Sequence, residues 1–399
     1  MKILQVVPYF PPAYAFGGPV KVAYQISKEL VKKGHEVVVH TTDAKDFGSK
    51  LEIGSSNMVD GIKVHRFKIL SMSLVKKLKL FITPRLILSA RKEVETFDII
   101  HLHEYRTFQN AVIRHYAKKY GVPYVLQTHG SLPRIMAWRK LKRLYDIFFG
   151  YRLLRDAAKV IALSRVEAEQ YKCMGVPEEK IAFIPNGIDL SEYAVLPPKG
   201  SFKKKFGIPE EKKIILYLGR IHRIKGIDFL VEAYAHLTKK MNYKDAVLVI
   251  AGPDDGYLGE VKTLIKALKI GCSVLVTGPL YGMDKLEAYV DAYVYVLPSR
   301  YETFPMTILE AVACGTPVIL TENCSIAEFF KGKIGLVVET DPSSLCDALL
   351  RLLSSDDIDT FRENCKILAR TFDISEVVCQ LEKVYEEALS SDCCLKTVD

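Results

Sequence analysis

Two carboxylates stand eight residues apart in the stretch 299–319, SRYETFPMTILEAVACGTPVI: Glu302 and Glu310. Pro305, between them, falls where a helix can begin, at a position that tolerates a missing N–H. Met306, Ile308, Leu309, Val312 and Ala313 recur at the spacing of a buried helical face. The backbone N–H groups from Thr303 through Phe304 and Pro305 to Met306 would then open a helix, and such an opening is a ready anion site. An anion cradle flanked by two hydroxyl acceptors suits a nucleotide-sugar. A second constellation lies upstream at 219–226, GRIHRIKG, with Arg220 and Lys225 five residues apart. A guanidinium grips two phosphate oxygens and an ammonium adds a point charge. Taken singly, each of these charges fits a solvated surface as readily as a ligand site.

The elements around them read as alternating strands and helices. Apolar strand-like runs cover 3–7, 37–40, 62–67, 97–103, 122–128, 159–163 and 181–184, then 214–218, 247–251, 273–277, 292–297, 318–320 and 335–338. Helical periodicity fills 20–30, 227–237, 342–354, 356–370 and 374–389. Gly17-Gly18 turn the chain after the first strand, and His129-Gly130 follow the run at 122–128. In open α/β sheets, ligands bind at that carboxyl edge. His103 ends another strand and is a weaker candidate for lining the site. Neither the dinucleotide pattern G-x-G-x-x-G nor the P-loop G-x4-G-K-[ST] is present, which disfavours NAD and ATPase chemistry. The segment 196–201, LPPKGS, reads as a linker.

A chain of 399 residues favours two domains. Charge divides it the same way: residues 1–190 hold 31 Lys+Arg against 17 Asp+Glu, and the remainder 25 against 30. No apolar run approaches the ~20 residues of a membrane span, and MKILQVVPYF reads as a first strand rather than a leader. Nine cysteines without C-x-x-C or zinc spacing read as reduced thiols of a cytoplasmic protein. Two acid-free windows, 61–92 and 105–145, carry nine basic residues each, interleaved with apolar ones. The second contains Trp138, Arg139, Lys140, Lys142 and Arg143. Such segments suit an anionic membrane surface on its cytoplasmic face, or else a solvated helix face over core. No nucleic-acid-binding motif accompanies them.

The run from Glu302 to Glu310, continued through LEAVACGTPVI, resembles the E-x7-E signature of retaining glycosyltransferases with the GT-B fold, family 4 (glycosyl transferases group 1) especially. The stretch 219–226 is similar to the G-R-x4-K-G motif of that family, and the resemblance covers nearly the whole chain. It implies an α/β architecture of two Rossmann-like parallel-sheet domains facing across a cleft. Residues 1–190 would bind the acceptor and 191–370 the nucleotide-sugar donor, with 371–392 a helix crossing back. Phe372-Asp373-Ile374 departs from the aromatic-Trp pair that many members carry there. The resemblance further implies that Arg220 and Lys225 hold the donor diphosphate. Backbone near Thr303, Phe304, Pro305 and Met306 would share that charge, Glu310 would bind the ribose and Glu302 the sugar. Gly17 and Gly18 would approach the phosphate or acceptor, Leu280 would border the base, and His129 would lie near the transferred sugar. The reaction would retain configuration by front-face attack, with a UDP- or GDP-linked donor, a saccharide or lipid-linked acceptor and no cofactor. No metal is expected, since the one D-x-D, Asp357-Ile358-Asp359, reads as an acidic helix start. A GT-B epimerase or phosphorylase, or a non-catalytic membrane-associated scaffold, remains the alternative; a phosphorylase normally needs a pyridoxal lysine and a much longer chain.

Overall fold

A computed structural model describes residues 1–393 except 53, 55, 136, 137, 356 and 357. Asp357 of the D-x-D, and the first two residues of the helix expected at 356–370, lie outside the described residues; that helix is described over Ile358–Ala369. The chain divides into two compact units, one of Met1–Gly187 with the segment from Ile374 onward, the other of Ile188–Asp373.

The first unit is built on β1 (Lys2–Val6), β2 (Glu36–Thr42), β3 (Ser56–Val59), β4 (Ile62–Phe67), β5 (Ile99–His103), β6 (Tyr124–Gln127), β7 (Lys159–Ala162) and β8 (Ile181–Phe183). Their order is β3-β4-β2-β1-β5-β6-β7-β8, parallel except for the β3–β4 pair. Runs such as Val37-Val38-Val39 are buried on both faces, as a helix-covered parallel sheet requires. Leu4, Val6, Val38, Ile100 and Leu102 share one core with residues of the helices Arg85–Glu93 and Phe108–Tyr120. Side chains alternate along a strand, so Gln5, His101 and His103 project to the other face. There the C-terminal helix Ile374–Cys393 buries Tyr385, and its Glu382 pairs with His35 at 2.8 Å.

The strand β3 is absent from the sequence reading. Asp60 and Gly61, at φ 49° and 79°, form the two-residue turn that joins it to β4, with Val59 opposite Ile62. Its four residues, Ser-Asn-Met-Val, carry no alternating pattern of their own.

The second unit holds β9 (Lys213–Leu218), β10 (Ala246–Ala251), β11 (Val274–Gly278), β12 (Ala292–Leu297), β13 (Val318–Thr321) and β14 (Gly335–Val338), all parallel, in the order β11-β10-β9-β12-β13-β14. Helices Ile227–Lys239 and Pro342–Leu353 bury Leu230, Tyr234, Leu345 and Leu349 in its core. The strand order reverses between β9 and β12, and in the first unit between β1 and β5. Those reversals open the crevices in which such sheets bind ligands.

Gly226 shows how tightly the loop after β9 is held. It sits at φ +64°, and a Cβ there would stand 1.9 Å from the Pro298 carbonyl oxygen. Gly34, at φ +86°, has nothing within 4 Å. Gly34→Ala should therefore cost only the left-handed backbone penalty, about 1 kcal/mol. Gly226→Ala should cost more than about 2 kcal/mol, because backbone must also move. Thermal melts of the two variants check the ordering.

Candidate active site

The loop after β9 and the turn after β12 meet at the reversal of the second sheet. Lys225 Nζ forms an ion pair with Glu302 Oε2, joining the two. The loop is fixed by its own backbone. The Tyr217 hydroxyl donates to the Arg220 carbonyl at 2.8 Å, and the Lys225 amide donates to the His222 carbonyl at 2.9 Å. From the β12 side, the Arg300 amide donates to the Ile224 carbonyl at 2.8 Å. The Arg300 guanidinium forks onto Asp228 at 2.8 and 2.5 Å and lies 3.9 Å from the centre of the Phe229 ring. Such a bidentate pair adds fixed geometry to attraction.

Arg220 Nη1 meets Asp255 Oδ2 at 2.7 Å. Asp255 belongs to the turn after β10, in which Asp254 Oδ1 accepts from the amides of Gly256, Tyr257 and Leu258. Glu302 is held by a short bridge to the neighbouring segment: its amide donates to the Asn323 carbonyl at 3.1 Å and its carbonyl accepts from Ser325 at 2.8 Å. Burial, with the Glu302 charge nearby, pushes the Cys324 thiol up to about 12, so it stays protonated.

The helix expected after Pro305 begins one residue later, over Met306–Ala313, with Pro305 extended at ψ 120° as its cap. Ile308 N–H already bonds the Pro305 carbonyl at 3.2 Å, so the amides of Met306 and Thr307 fall outside the helical ladder. Glu310, five residues into the helix, is 5% exposed. Lys285 Nζ meets its Oε1 at 2.7 Å, and the Tyr289 hydroxyl donates to its Oε2 at 3.2 Å. Thr303, Phe304 and Met306 are buried, which leaves backbone as their contribution at this edge. Leu280 is buried in the loop following β11, at the outer side of the sheet.

In the first unit, Gly17, at φ +88°, caps the helix Gly18–Lys32 at the end of the loop that follows β1. His129, at φ +51°, follows β6. The buried Glu167 carboxylate braces its turn, accepting from the Thr128 hydroxyl at 2.8 Å and from the amides of Gly130 and Leu163 at 2.7 and 2.8 Å. His129 Nε2 lies 2.8 Å from His103 Nδ1, and His103 Nε2 lies 2.7 Å from Gln5 Oε1. Gln5 Nε2 donates to the Tyr385 hydroxyl at 3.3 Å, and that oxygen lies 2.8 Å from His101 Nδ1. An amide oxygen only accepts, so His103 carries its proton on Nε2 and accepts at Nδ1. His129 then donates from Nε2 and keeps an unprotonated Nδ1. Burial lowers all three imidazoles, His101 and His129 to about 3, so they stand neutral at pH 7.

Sequence reasoning singled out Arg220, Lys225, Glu302, Glu310 and His129, but not Asp255, Lys285, Asp228–Arg300, Glu167 or Tyr385. Asp255, Lys285, Glu167 and Tyr385 come from other segments, so spacing alone carries no signal for them; Asp228 and Arg300 lie within or beside the two motifs, but their pairing joins one motif to the other and spacing within either does not show it.

Two Rossmann-like parallel-sheet units are the architecture of the GT-B fold. A sequence model of glycosyltransferase family 4 matches residues 16–192, and one of glycosyl transferases group 1 matches residues 198–372. The chain belongs to this glycosyltransferase family. It is 27% identical over 89% of its length, and 89% of the relative's, to an uncharacterized glycosyltransferase of Methanocaldococcus jannaschii. It is also 27% identical to the UDP-Gal:alpha-D-GlcNAc-diphosphoundecaprenol alpha-1,3-galactosyltransferase of Escherichia coli, over 79% of this chain and 81% of that one. Sucrose-phosphate synthase of Thermosynechococcus elongatus shares the fold with a TM-score of 0.78 at 19% identity, over 98% and 100% of the two chains.

The neutral imidazoles have a measurable consequence. Their folded pKa values lie below that of an unfolded histidine, so the unfolded chain binds more protons between about pH 3 and 6.5. Stability must fall on acidification from pH 7 to 5, by roughly 1–2 kcal/mol for each imidazole. Melting temperatures at the two pH values check this: His129→Gln should lose less on acidification than the wild type.

Proposed function

We propose that this chain transfers a hexosyl or N-acetylhexosaminyl group from a UDP- or GDP-linked sugar to a saccharide or lipid-linked acceptor, with retention of configuration. The observation that carries this reading is the pairing of Arg220 and Lys225 with Asp255 and Glu302 beside the opening of the helix Met306–Ala313. A donor diphosphate can exchange into both ion pairs, since phosphate offers the cations more acceptor oxygens than a carboxylate does. The exchange frees Glu302 for the hydroxyls of the sugar. Glu310, oriented by Lys285 and Tyr289, then takes the ribose hydroxyls.

The chemistry follows from where charge develops. As the bond from the anomeric carbon to the phosphate oxygen breaks, negative charge grows on the diphosphate. Arg220, Lys225 and the amides of Met306 and Thr307 stabilise it there. The acceptor oxygen bonds the same face of the anomeric carbon, and its proton passes to the departing phosphate oxygen. A carboxylate nucleophile is not needed, because the acceptor oxygen itself takes the face that the diphosphate leaves. Nor is a metal needed at the phosphates, where the two cations already supply the charge. In the first unit, neutral His129 offers Nδ1 as an acceptor to a substrate hydroxyl. The Escherichia coli relative, whose name gives UDP-Gal as donor and a diphosphoundecaprenol-linked acceptor, supports the class of both substrates. A role in making cell-surface polysaccharide, glycolipid or glycoconjugate fits that chemistry.

The two basic windows differ in a way that bears on location. In the first, Val75 and Phe81 are buried with Phe16 and Ile69 in the unit's own core. In the second, Trp138, Leu141 and Leu144 are exposed beside Arg139, Lys140 and Arg143, and Ile147, Phe148 and Phe149, which follow the window, are exposed as well. A π-helical turn over Asp146–Gly150 carries part of this row, and fully buried Asp146 anchors it to Arg106 and Arg134 at 2.9 and 2.7 Å. The proposed partner of that patch is an anionic membrane surface, met from the cytoplasm. No helix among the described residues is long and apolar enough to cross a membrane.

Thermal-shift screening of nucleotide-sugars identifies the donor, which should raise the melting temperature. With that donor, Glu310→Gln and Lys225→Ala should each lower turnover at least about 100-fold while the protein stays folded. NMR of the product should show the donor's anomeric configuration. Full activity in both variants would overturn the site, and inversion would overturn the mechanism. Separately, the protein should sediment with phosphatidylserine vesicles in a salt-sensitive manner, and Leu144→Glu with Phe148→Glu should abolish this; salt-independent or absent binding would remove the membrane from the proposal.

A further inference from the structure

A second histidine cluster lies on the opposite face of the first sheet from Gln5, His101 and His103. The parallel register of β2 and β4 sets His40 against His65, and the two rings stack 5.4 Å apart at 19°. His40 aligns with Val6, which faces the core shared with the helix Arg85–Glu93. The last residue of that helix, Glu93, brings Oε2 to 3.3 Å from His40 Nε2 and 3.7 Å from His65 Nδ1. The three ligand atoms all lie within 4.8 Å of one another.

His40 is 0% exposed, yet neither of its ring nitrogens has a hydrogen-bond partner among the described residues, and His65 Nε2 also lacks one. The contact of His40 Nε2 with Glu93 is short enough for a hydrogen bond but not aligned for one. A buried imidazole with both nitrogens unused is costly and unusual. The Ser89 hydroxyl donates to Glu93 Oε2 at 2.9 Å and orients it from outside, as second partners of metal ligands do.

We propose that His40, His65 and Glu93 bind one divalent transition-metal ion, Zn2+ foremost, which ties β2 and β4 to the end of the helix Arg85–Glu93. Two imidazoles and a carboxylate are a zinc donor set, with water completing the tetrahedron. Bonds of about 2.0–2.2 Å give donor edges of roughly 3.3–3.5 Å, close to both distances from Glu93. The ion holds the first unit together and takes no part at the donor phosphates, which are met by cations of the second.

The test uses the full chain, stripped with a chelator and dialysed against Zn2+. One ion per chain should be retained and the melting temperature should rise. His65→Gln and Glu93→Gln alter side chains that are 18% and 38% exposed, so both should melt close to the metal-free wild type. Each should weaken zinc binding about tenfold or more and lose most of the zinc-induced shift. Zinc held equally well by wild type and both variants would assign it to other groups, such as exposed Cys173 and Cys272, and overturn the site. Absence of retained zinc in the wild type would overturn it as well.

Discussion

The ion pair between Lys225 and Glu302 joins the two loops that leave adjacent, non-consecutive strands, and the proposed donor site depends on that join. Parallel sheets open a crevice wherever strand order reverses. A crevice alone is only space, because the loops flanking it belong to separate βα units. Here the loops are fastened three ways: by Lys225 to Glu302, by Arg300 to Asp228 and Ile224, and by Gly226 against the Pro298 carbonyl. The last contact explains the glycine at the end of the 219–226 motif. The backbone of one loop touches that of the other at a distance no side chain fits.

The first unit solves a different problem at its own reversal. His129, in the role proposed for it, needs a fixed orientation to accept from a substrate hydroxyl. An isolated imidazole has two tautomers and two ring flips. The line through His103, Gln5 and Tyr385 selects one, because Gln5 presents an oxygen to His103 and a donor to Tyr385. Tyr385 comes from the C-terminal helix, so the last helix of the chain sets the proton position at a turn formed far earlier in the sequence.

The local parts of this arrangement were legible in the residues. Arg220 and Lys225, and Glu302 and Glu310, lie within single strand–loop–helix segments, where spacing constrains geometry. The parallel strands of both sheets are legible because buried parallel strands are continuous apolar runs. What escaped notice was decided between segments. Arg220 and Asp255 meet through the register of neighbouring strands, and Lys285 and Glu310 meet from the helices before and after β12. The helix start at Met306 slipped by one residue because Pro305 serves as the extended cap rather than the first helical residue. The strand β3 rests on its Asp60-Gly61 turn rather than on apolar alternation. The basic windows look alike as sequences, and only packing separates the one that feeds the core from the one that leaves Phe148 and Trp138 in solvent.

Arg220, Lys225, Lys285 and Arg300 each already hold a carboxylate: Asp255, Glu302, Glu310 and Asp228. This edge therefore presents dipoles more than net charge, unlike a bare cluster of cations. An arbitrary polyanion gains little by breaking such pairs, since each carboxylate it displaces is left without its counterion. A ligand gains only if it brings anionic oxygens for the cations and hydroxyl donors for the released acids at the same spacing. Discrimination against inorganic phosphate and free nucleic acid would then arise before any sugar-specific contact forms, from the exchange of partners itself.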